Sequence, residues 1–266
     1  MNDATNKPIT TCSMLGFDTE PGSIKQYLEL IKTSVTDRQA ITVYYHNLHS
    51  LYSYFTTPKL KACYDRATAL VDGMPVIWLL GLGGHKVTRE QRVTYVDFIW
   101  PMLEQARDNE WRVYHLGQSS DIQQKAIAVI REKVPGILID GHDGYFNQAP
   151  DHPESLAVIE GINAFETDLL LVGFGAPRQE YWVDAHRDKI KASALFTCGA
   201  CMEYVAGAVK TPPRWMGRTG LEWSYRLFEN PRRFAFRYLV EPVILGAILG
   251  KNLVLGSRKN KSIDAA

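Results

Sequence analysis

Residues 168–180 read Asp-Leu-Leu-Leu-Val-Gly-Phe-Gly-Ala-Pro-Arg-Gln-Glu. A short aliphatic run bounded by Asp and Gly is typical of a buried strand, and the glycines and proline after it predict a turn into a helix. Glycine at a strand end lets the backbone approach a phosphate, and the N-terminus of the next helix favours negative charge. The stretch therefore predicts a strand–turn–helix unit of a parallel sheet, with a ligand beyond the carboxyl end of the strand.

The same alternation extends over most of the chain. Short apolar runs predict strands at 41–45, 68–71, 112–116, 137–140, 168–172 and 192–197. Apolar residues at helical spacing, or a capping residue, predict helices at 24–33, 98–106, 121–133, 156–165 and 178–190. Strands separated by helices of about ten residues pair in parallel through right-handed crossovers. The sequence thus predicts an α/β fold with a Rossmann-like, doubly wound, mainly parallel sheet.

The composition is that of an ordinary globular protein. The 266 residues include 30 Lys+Arg and 29 Asp+Glu, and 45% of them are hydrophobic. These values exclude disordered and collagen-like chains. Four cysteines without an N-terminal signal peptide favour a reducing cytoplasm over a disulfide framework.

The charge is unevenly distributed along the chain. Residues 207–266 hold 11 Lys+Arg and 4 Asp+Glu, a net charge of +7, which leaves −6 for residues 1–206. We therefore divide the chain into an α/β catalytic domain, 1–206, and a basic, apolar and partly helical C-terminal appendage, 207–266. A strongly basic segment of this kind is expected to meet an anionic partner.

The appendage has the composition of an interfacial membrane element. Arginines alternate with aromatic residues up to Tyr238, an apolar stretch covers 239–256, and Arg258, Lys259 and Lys261 follow. This mixture favours attachment to a membrane surface. The alternative is a solvated basic helix packed on the α/β domain, residues 1–206, which we call the body. No run approaches the ~18 consecutive apolar residues of a membrane span, and no nucleic-acid-binding module is recognisable, so we expect no nucleic-acid partner.

Asp72 is the candidate catalytic carboxylate. It lies between the predicted strand 68–71 and Gly73-Met74-Pro75, at an edge of the sheet where a substrate hydroxyl comes within reach. General-base catalysis needs one such positioned carboxylate. The alternative interpretation is an aspartate that stabilises a turn or caps a helix.

Other chemistries have weaker support. Gly173-x-Gly175 lacks the third glycine of a dinucleotide fingerprint because Arg178 stands there, which disfavours a nicotinamide-dependent oxidoreductase. Cys198-x-x-Cys201 and His46-x-x-His49 lack further ligands, so buried thiols and aromatic packing or substrate contact are favoured over metal sites. No Asp-x-Asp occurs, so arginines would have to stabilise a diphosphate leaving group.

Several motifs follow one another in an order that resembles a known family. They are Val71-Asp72-Gly73-Met74-Pro75, Arg92-Val93-Thr94, Gly144-Tyr145-Phe146, residues 172–180, Gly220-Leu221-Glu222-Trp223, Arg226, Pro231-Arg232-Arg233 and Arg237-Tyr238. Over residues 40–240 the chain resembles the WecG/TagA/CpsF bacterial glycosyltransferases, glycosyltransferase family 26. In detail it is most similar to the GumM-like exopolysaccharide branch, whose members are glucosyltransferases.

The resemblance implies a function and a set of site residues. It implies an inverting, metal-independent transfer of a sugar, glucose in this branch, from a UDP-sugar to a saccharide on undecaprenyl diphosphate, with no cofactor. It also implies a peripheral enzyme at the cytoplasmic face of the bacterial inner membrane. The family's proposed base falls on Asp72. The residues expected to bind substrate are Asn47, Gly73, Arg92, Thr94, Asp97, Gly173, Gly175, Arg178, Gln179, Glu180 and Glu203. Those expected at the diphosphate or lipid carrier are Arg214, Arg226, Arg232, Arg233 and Arg237, and no metal site is expected.

Departures from the family pattern leave the donor sugar open. Tyr45 stands where Thr is usual, Tyr95 where Gly is common and Glu203 in place of Asp, and Thr211-Pro212-Pro213 replaces Arg-Ala-Pro. Transfer of N-acetylmannosamine or its uronic acid to a polyprenyl-diphosphate-linked amino sugar is therefore the alternative. A second alternative is a non-catalytic membrane scaffold that binds nucleotide sugars, which would not need Asp72. A third is an epimerase or dehydrogenase of UDP-sugars, which would need a nicotinamide cofactor. The oligomeric state, a homo-oligomer included, stays open.

Overall fold

A six-stranded parallel sheet forms the centre of the chain, which confirms the predicted Rossmann-like fold. The computed structural model describes residues 8–263, apart from the side chains of residues 214, 218, 233 and 256–263. The strands of the sheet are β3 (Ile41–His46), β4 (Thr68–Val71), β5 (Arg112–Gly117), β6 (Leu138–His142), β7 (Leu169–Gly173) and β8 (Ala194–Thr197). Their order is β4-β3-β8-β7-β5-β6. A small antiparallel hairpin that the sequence did not predict precedes them, formed by β1 (Cys12–Met14) and β2 (Phe17–Thr19).

Helices cover both faces of the sheet. They are α1 (Ile24–Asp37), α2 (Leu48–Thr56), α3 (Pro58–Tyr64), α4 (Met74–Leu82), α5 (Tyr95–Asp108), α6 (Ser120–Lys133), α7 (Pro153–Ala164), α8 (Arg178–His186) and α9 (Cys201–Val205). A short 3-10 turn, Arg89–Gln91, precedes α5. Within β7, Leu169 and Leu171 belong to one hydrophobic cluster and Leu170 and Val172 to the other. Because both faces are covered, the strand is apolar throughout rather than alternating.

The helices between β3 and α5 were not predicted. Helix α4 reads Met-Pro-Val-Ile-Trp-Leu-Leu-Gly-Leu, so it has no polar face and no periodicity that marks a helix. Helix α8 is also shorter than the predicted 178–190. The amides of Lys189 and Ile190 both bond the His186 carbonyl in a closing turn.

The appendage forms a series of helices that pack on the body. They are α10 (Arg214–Thr219), α11 (Glu222–Glu229), α12 (Pro231–Ala235), a π-helical turn (Phe236–Val240) and α13 (Glu241–Ile263). Leu245 and Leu249 of α13 are buried in the cluster that contains α2, and Asn252 Nδ2 donates to the Leu15 carbonyl at 2.8 Å. Residues 236–255 have a mean hydropathy of 1.5 with 17% of the segment buried, so their length and composition would allow a membrane crossing. The sequence predicted an apolar stretch at 239–256 that attaches to a membrane surface, but it did not predict a segment able to cross the membrane.

Candidate active site

Asp72 lies at the carboxyl edge of the sheet, between β4 and α4. Strands β3 and β4 pair in parallel with His46 opposite Val71, which brings Asn47 beside Asp72. Asn47 Nδ2 donates to Asp72 Oδ2 at 3.4 Å, while its Oδ1 accepts the Ser50 amide and caps α2. A Cβ on Gly73 would lie 3.5 Å from that of Asn47. The cap thus fixes Asn47, and Asn47 orients one oxygen of the carboxylate.

The surroundings of Asp72 adjust its basicity. Burial raises the pKa of Asp72 from 3.8 to about 6, while Arg92, Arg226 and the hydrogen bond from Asn47 partly oppose that rise. A carboxyl group with this pKa is ionised in most molecules at neutral pH and is a stronger base than an ordinary aspartate. Asp72 is therefore suited to accept a proton from a sugar hydroxyl.

Arg92 connects the body to the appendage. Its Nε donates to the Asp72 carbonyl at 3.3 Å, its Nη1 to the Gly217 carbonyl, and its Nη2 to Glu222 Oε2 at 2.8 Å. The side chain of Arg92 is 6% exposed. Since all three nitrogens already have partners, Arg92 holds the appendage against Asp72 in this structure, and a direct substrate contact stays a prediction.

Gln179 and Glu180 are both fully buried at the start of α8. Gln179 Oε1 accepts the amides of Gly175 at 3.1 Å and Gly199 at 3.2 Å, and its Nε2 donates to Glu180 Oε1 at 2.8 Å. Burial raises the pKa of Glu180 to about 7, and the hydrogen bond from Gln179 opposes the rise. These side chains hold the loops after β7 and β8 together. The direct substrate contact expected from the sequence stays a prediction, since neither side chain reaches the surface.

Gln118 lies at the candidate site, although no role was predicted for it from the sequence. It has φ +64° after Gly117, and its Nε2 donates to the carbonyls of Gly173 at 3.1 Å and Gly199 at 2.8 Å. A Cβ on Gly173 would lie 2.8 Å from the Gly199 carbonyl oxygen, so this close approach requires glycine. Gln118 and Gln179 thus fix both peptide groups of Gly199. Its position after a predicted strand was the one sequence signal that could have identified it.

An open depression of about 490 Å³ lies beside the β7–α8 turn. It is lined by residues 144–148, Glu154 and Arg178, and the Tyr145 ring is 82% exposed. Arg178 is exposed and its Nη2 donates to the Phe174 carbonyl at 2.6 Å. Gly175 has φ +81° with open space on its Cβ side. An aromatic ring, an arginine and an accessible backbone turn together suit a nucleotide.

Two appendage arginines lie at the same edge of the sheet. The Arg226 guanidinium lies 5.8 Å from the centre of the Tyr204 ring and lowers the pKa of Asp72. Arg237 lowers the pKa of both Tyr45 and His49, which burial changes more strongly. The Nε atoms of Arg226 and Arg237 are buried without a hydrogen-bond partner among the side chains that the structure describes. Arg232 is exposed, and the side chains of Arg214 and Arg233 lie outside the described residues.

Three other predicted site residues lie on helices at this edge. Thr94 and Asp97 belong to the N-terminal turn of α5, where Thr94 Oγ1 donates to Asp97 Oδ2 at 3.1 Å. The negative charge of Asp97 in the first turn of α5 is favourable at the N-terminus of a helix. Glu203 is half-buried on α9, next to Tyr204. The structure gives none of the three a substrate contact, and their binding roles stay predictions.

The histidine and cysteine motifs take part in packing. His46 is fully buried and stacks on Tyr64 with ring centres 4.5 Å apart, while His49 Nδ1 lies 2.7 Å from Glu241 Oε2 of α13. Cys198 and Cys201 are buried free thiols. Within the described range, no group of three or more His, Cys, Asp or Glu side chains is arranged to hold a metal ion.

The fold is α/β, and the site combines a half-buried carboxylate, Asp72, with nearby arginines at the carboxyl ends of parallel strands. The chain belongs to the glycosyl transferase WecG/TagA/CpsF family, whose model matches residues 12–258. It is therefore a glycosyltransferase. Two relatives, from Staphylococcus aureus strains MW2 and NCTC 8325 / PS 47, are each 24% identical over 225 residues, which is 83% of this chain and 85% of theirs. Both are named N-acetylglucosaminyldiphosphoundecaprenol N-acetyl-beta-D-mannosaminyltransferase.

Proposed function

We propose that this protein transfers N-acetylmannosamine, or a closely related acetamido sugar, from a UDP-sugar to an amino sugar on polyprenyl diphosphate. The observation that carries the proposal is the position of Asp72, which lies beside Asn47 and within the electrostatic influence of Arg226 from the appendage. The names of the two relatives support this transferred sugar and this acceptor. Glucose and the GumM-like branch have no support from those relatives and stay predictions.

The proposed reaction inverts the anomeric carbon. UDP binds across the strand ends with its nucleoside in the depression beside Tyr145 and Arg178. The acceptor hydroxyl transfers its proton to Asp72, and its oxygen attacks the anomeric carbon from the face opposite UDP. As the new bond forms, the bond to UDP breaks and its electron pair leaves with the diphosphate. Arg226 and Arg237 supply positive charge to the UDP or lipid diphosphate, so no metal ion is required.

The proposed site of action is the cytoplasmic face of a bacterial inner membrane. The appendage carries a net charge of +7 and an apolar helix of which much remains exposed. Positive charge beside apolar surface favours peripheral binding to anionic lipid. The acceptor would then meet the site without leaving the bilayer.

Release of UDP tests the transfer directly. The purified full chain is incubated with a short-chain polyprenyl-diphosphate N-acetylglucosamine and, separately, UDP-N-acetylmannosamine, its uronic acid derivative or UDP-glucose. We expect the first donor to be used best, with unchanged rates in EDTA. Asp72→Asn should lower turnover by about 10²–10⁴-fold, as expected for loss of a general base. Asp121→Asn, on the exposed first turn of α6, is the matched control.

Three results would contradict parts of this proposal. Asp72→Asn turnover within twofold of wild type would remove Asp72 as the base. Binding of UDP-sugars without UDP release would favour the scaffold alternative, and strict dependence on added Mg²⁺ or Mn²⁺ would exclude the metal-independent reaction.

Removal of 207–266 should abolish both transfer and sedimentation with vesicles. Because that deletion uncovers the contacts of Leu245 and Leu249, the full-length Arg226→Ala, Arg237→Ala variant tests the arginines separately.

A further inference from the structure

Helix α4 exposes apolar side chains on the catalytic body. Its nine residues contain no charged or polar side chain other than the Trp78 indole N–H. Met74, Val76, Ile77 and Leu80 are buried, but Trp78 is 52% exposed and Leu82 is 85% exposed. Gly83 and Gly84 follow and are exposed as well. A helix on the surface of a soluble protein normally carries polar residues on its outer face.

The exposed face of α4 is continuous with the appendage. A Cβ on Gly220, the residue that ends α10, would lie 3.1 Å from Trp78 Cη2 and 3.2 Å from Met74 Cβ. Next to this contact, Trp215 is 58%, Leu221 39% and Trp223 40% exposed. Arg92 holds the two elements together through Gly217 and Glu222. One apolar surface therefore extends from Leu82 through Trp78 to α10 and α11.

We propose that Trp78 and Leu82, which we call the α4 face, lie in the interfacial layer of an anionic lipid bilayer together with the appendage. Tryptophan is typical of the membrane–water interface because its ring is apolar while its N–H can reach water. Lys86 and Arg89 follow the α4 face, are both exposed, and have the sign that anionic headgroups attract. The inference rests on the proposed function, in which the acceptor is a membrane lipid.

This contact would set the height of the catalytic base above the membrane. Asp72 and Gly73 directly precede α4, and a nine-residue helix is about 13 Å long at 1.5 Å per residue. With Leu82 inserted, Asp72 is held within roughly one helix length of the lipid surface. A sugar attached to a diphosphate at headgroup level is then within reach of Asp72. The α4 face thus positions the body, while the appendage supplies additional affinity.

An environment-sensitive fluorophore tests the insertion. In a Cys12→Ser background, which removes the one partly exposed cysteine, Leu82→Cys is labelled with a nitrobenzoxadiazole probe. Leu138→Cys is the matched control, since Leu138 is 45% exposed on the edge strand β6. We expect vesicles of phosphatidylglycerol and phosphatidylethanolamine to shift the Leu82 probe to the blue and raise its emission at least twofold. The Leu138 probe should not respond.

A double variant tests the consequence for turnover. Trp78→Gln, Leu82→Gln should weaken vesicle binding at least fivefold and slow transfer to a bilayer-embedded acceptor, with the rate on the water-soluble short-chain acceptor unchanged. A Leu82 probe that stays in water while the protein sediments with vesicles would overturn the proposal, and so would a protein that does not bind vesicles. A blue shift that rises with protein concentration in the absence of lipid would instead show a second copy covering the face. Failure of the proposed function appears separately, as no UDP release with the soluble acceptor.

Discussion

Replacing Arg226 by glutamine should raise the pH at which transfer reaches half of its maximal rate. If Asp72 is the base, only its ionised form is active, so kcat/KM for the soluble acceptor should rise with pH about a midpoint near 6, the pKa of Asp72. About one tenth of the carboxyl groups are ionised one unit below that midpoint and about nine tenths one unit above it. We therefore expect a roughly tenfold fall in kcat/KM between pH 7 and pH 5.

The environment of Asp72 predicts the direction in which each variant moves the midpoint. Arg226 lowers the pKa of Asp72 and Glu222 raises it. Arg226→Gln should thus move the midpoint above 6, and Asn47→Ala should do the same because it removes a hydrogen bond to the ionised form. The plateau rate of Arg226→Gln will also fall if Arg226 contacts a diphosphate. The midpoint separates these effects because it reports the pKa and not the contact.

The assay is UDP release measured from pH 4.5 to 8.5 at constant ionic strength with sub-saturating acceptor. Arg107→Gln, which removes a surface arginine paired with Asp108, should leave the midpoint unchanged. The reasoning fails if the wild-type profile is flat between pH 5 and 8. It fails equally if Arg226→Gln lowers turnover at every pH by the same factor without moving the midpoint.

Three further predictions concern the Arg92–Glu222 ion pair, the Gln179–Glu180 hydrogen bond and the buried His115. Glu222→Gln weakens the bond to Arg92, so limited proteolysis between residues 207 and 222 should accelerate, while loss of the exposed Lys61–Asp65 pair through Asp65→Asn should not change it. Glu180→Ala removes the acceptor that orients the Gln179 amide and should raise the donor KM about tenfold, whereas Glu180→Gln should restore most of the affinity; equal effects of the two would contradict an orienting role. Burial lowers the pKa of His115 to about 3, so the unfolded chain takes up a proton below about pH 6.5 that the folded chain excludes, and the free energy of unfolding falls as pH falls. His115→Leu should therefore reduce that dependence by about 1.4 kcal/mol per pH unit between pH 6 and pH 4 in urea titrations, and an unchanged slope would contradict the assignment.

The sheet was predictable because its strands are short apolar runs, most of them bounded by glycine, aspartate or asparagine. The run at 168–172 has apolar residues on both faces, which only a strand covered on both sides needs. The helices after β3 and β4 carry no comparable signal, because α4 is apolar on every side and its sequence does not distinguish helix from buried strand. The hairpin of β1 and β2 is too short, at three residues per strand, for its alternation to be recognised.

The places of the candidate site residues in the fold could be predicted from the sequence better than the hydrogen bonds that they make. Asp72 and Asn47 follow paired strands, so their proximity could be expected from topology alone. The burial of Gln179 and Glu180 could not be expected in the same way. The sequence predicts that they lie on the first turn of a helix, but it does not determine the direction in which that turn faces. The contacts of Arg92 depend on where the appendage packs, which no local pattern in residues 89–94 determines.

The distribution of hydrogen bonds also distinguishes the arginines near Asp72. Arg92 donates to a carbonyl beside the base, to a second carbonyl and to a carboxylate, so a diphosphate would have to displace existing bonds to use it. Arg226 and Arg237 each keep a buried Nε without a partner among the described side chains, and a buried donor of this kind is costly unless something completes it. A diphosphate oxygen would satisfy both. We therefore predict that Arg226 and Arg237 of the appendage bind the leaving group or the lipid diphosphate, and that residues 1–206 alone do not form the complete site.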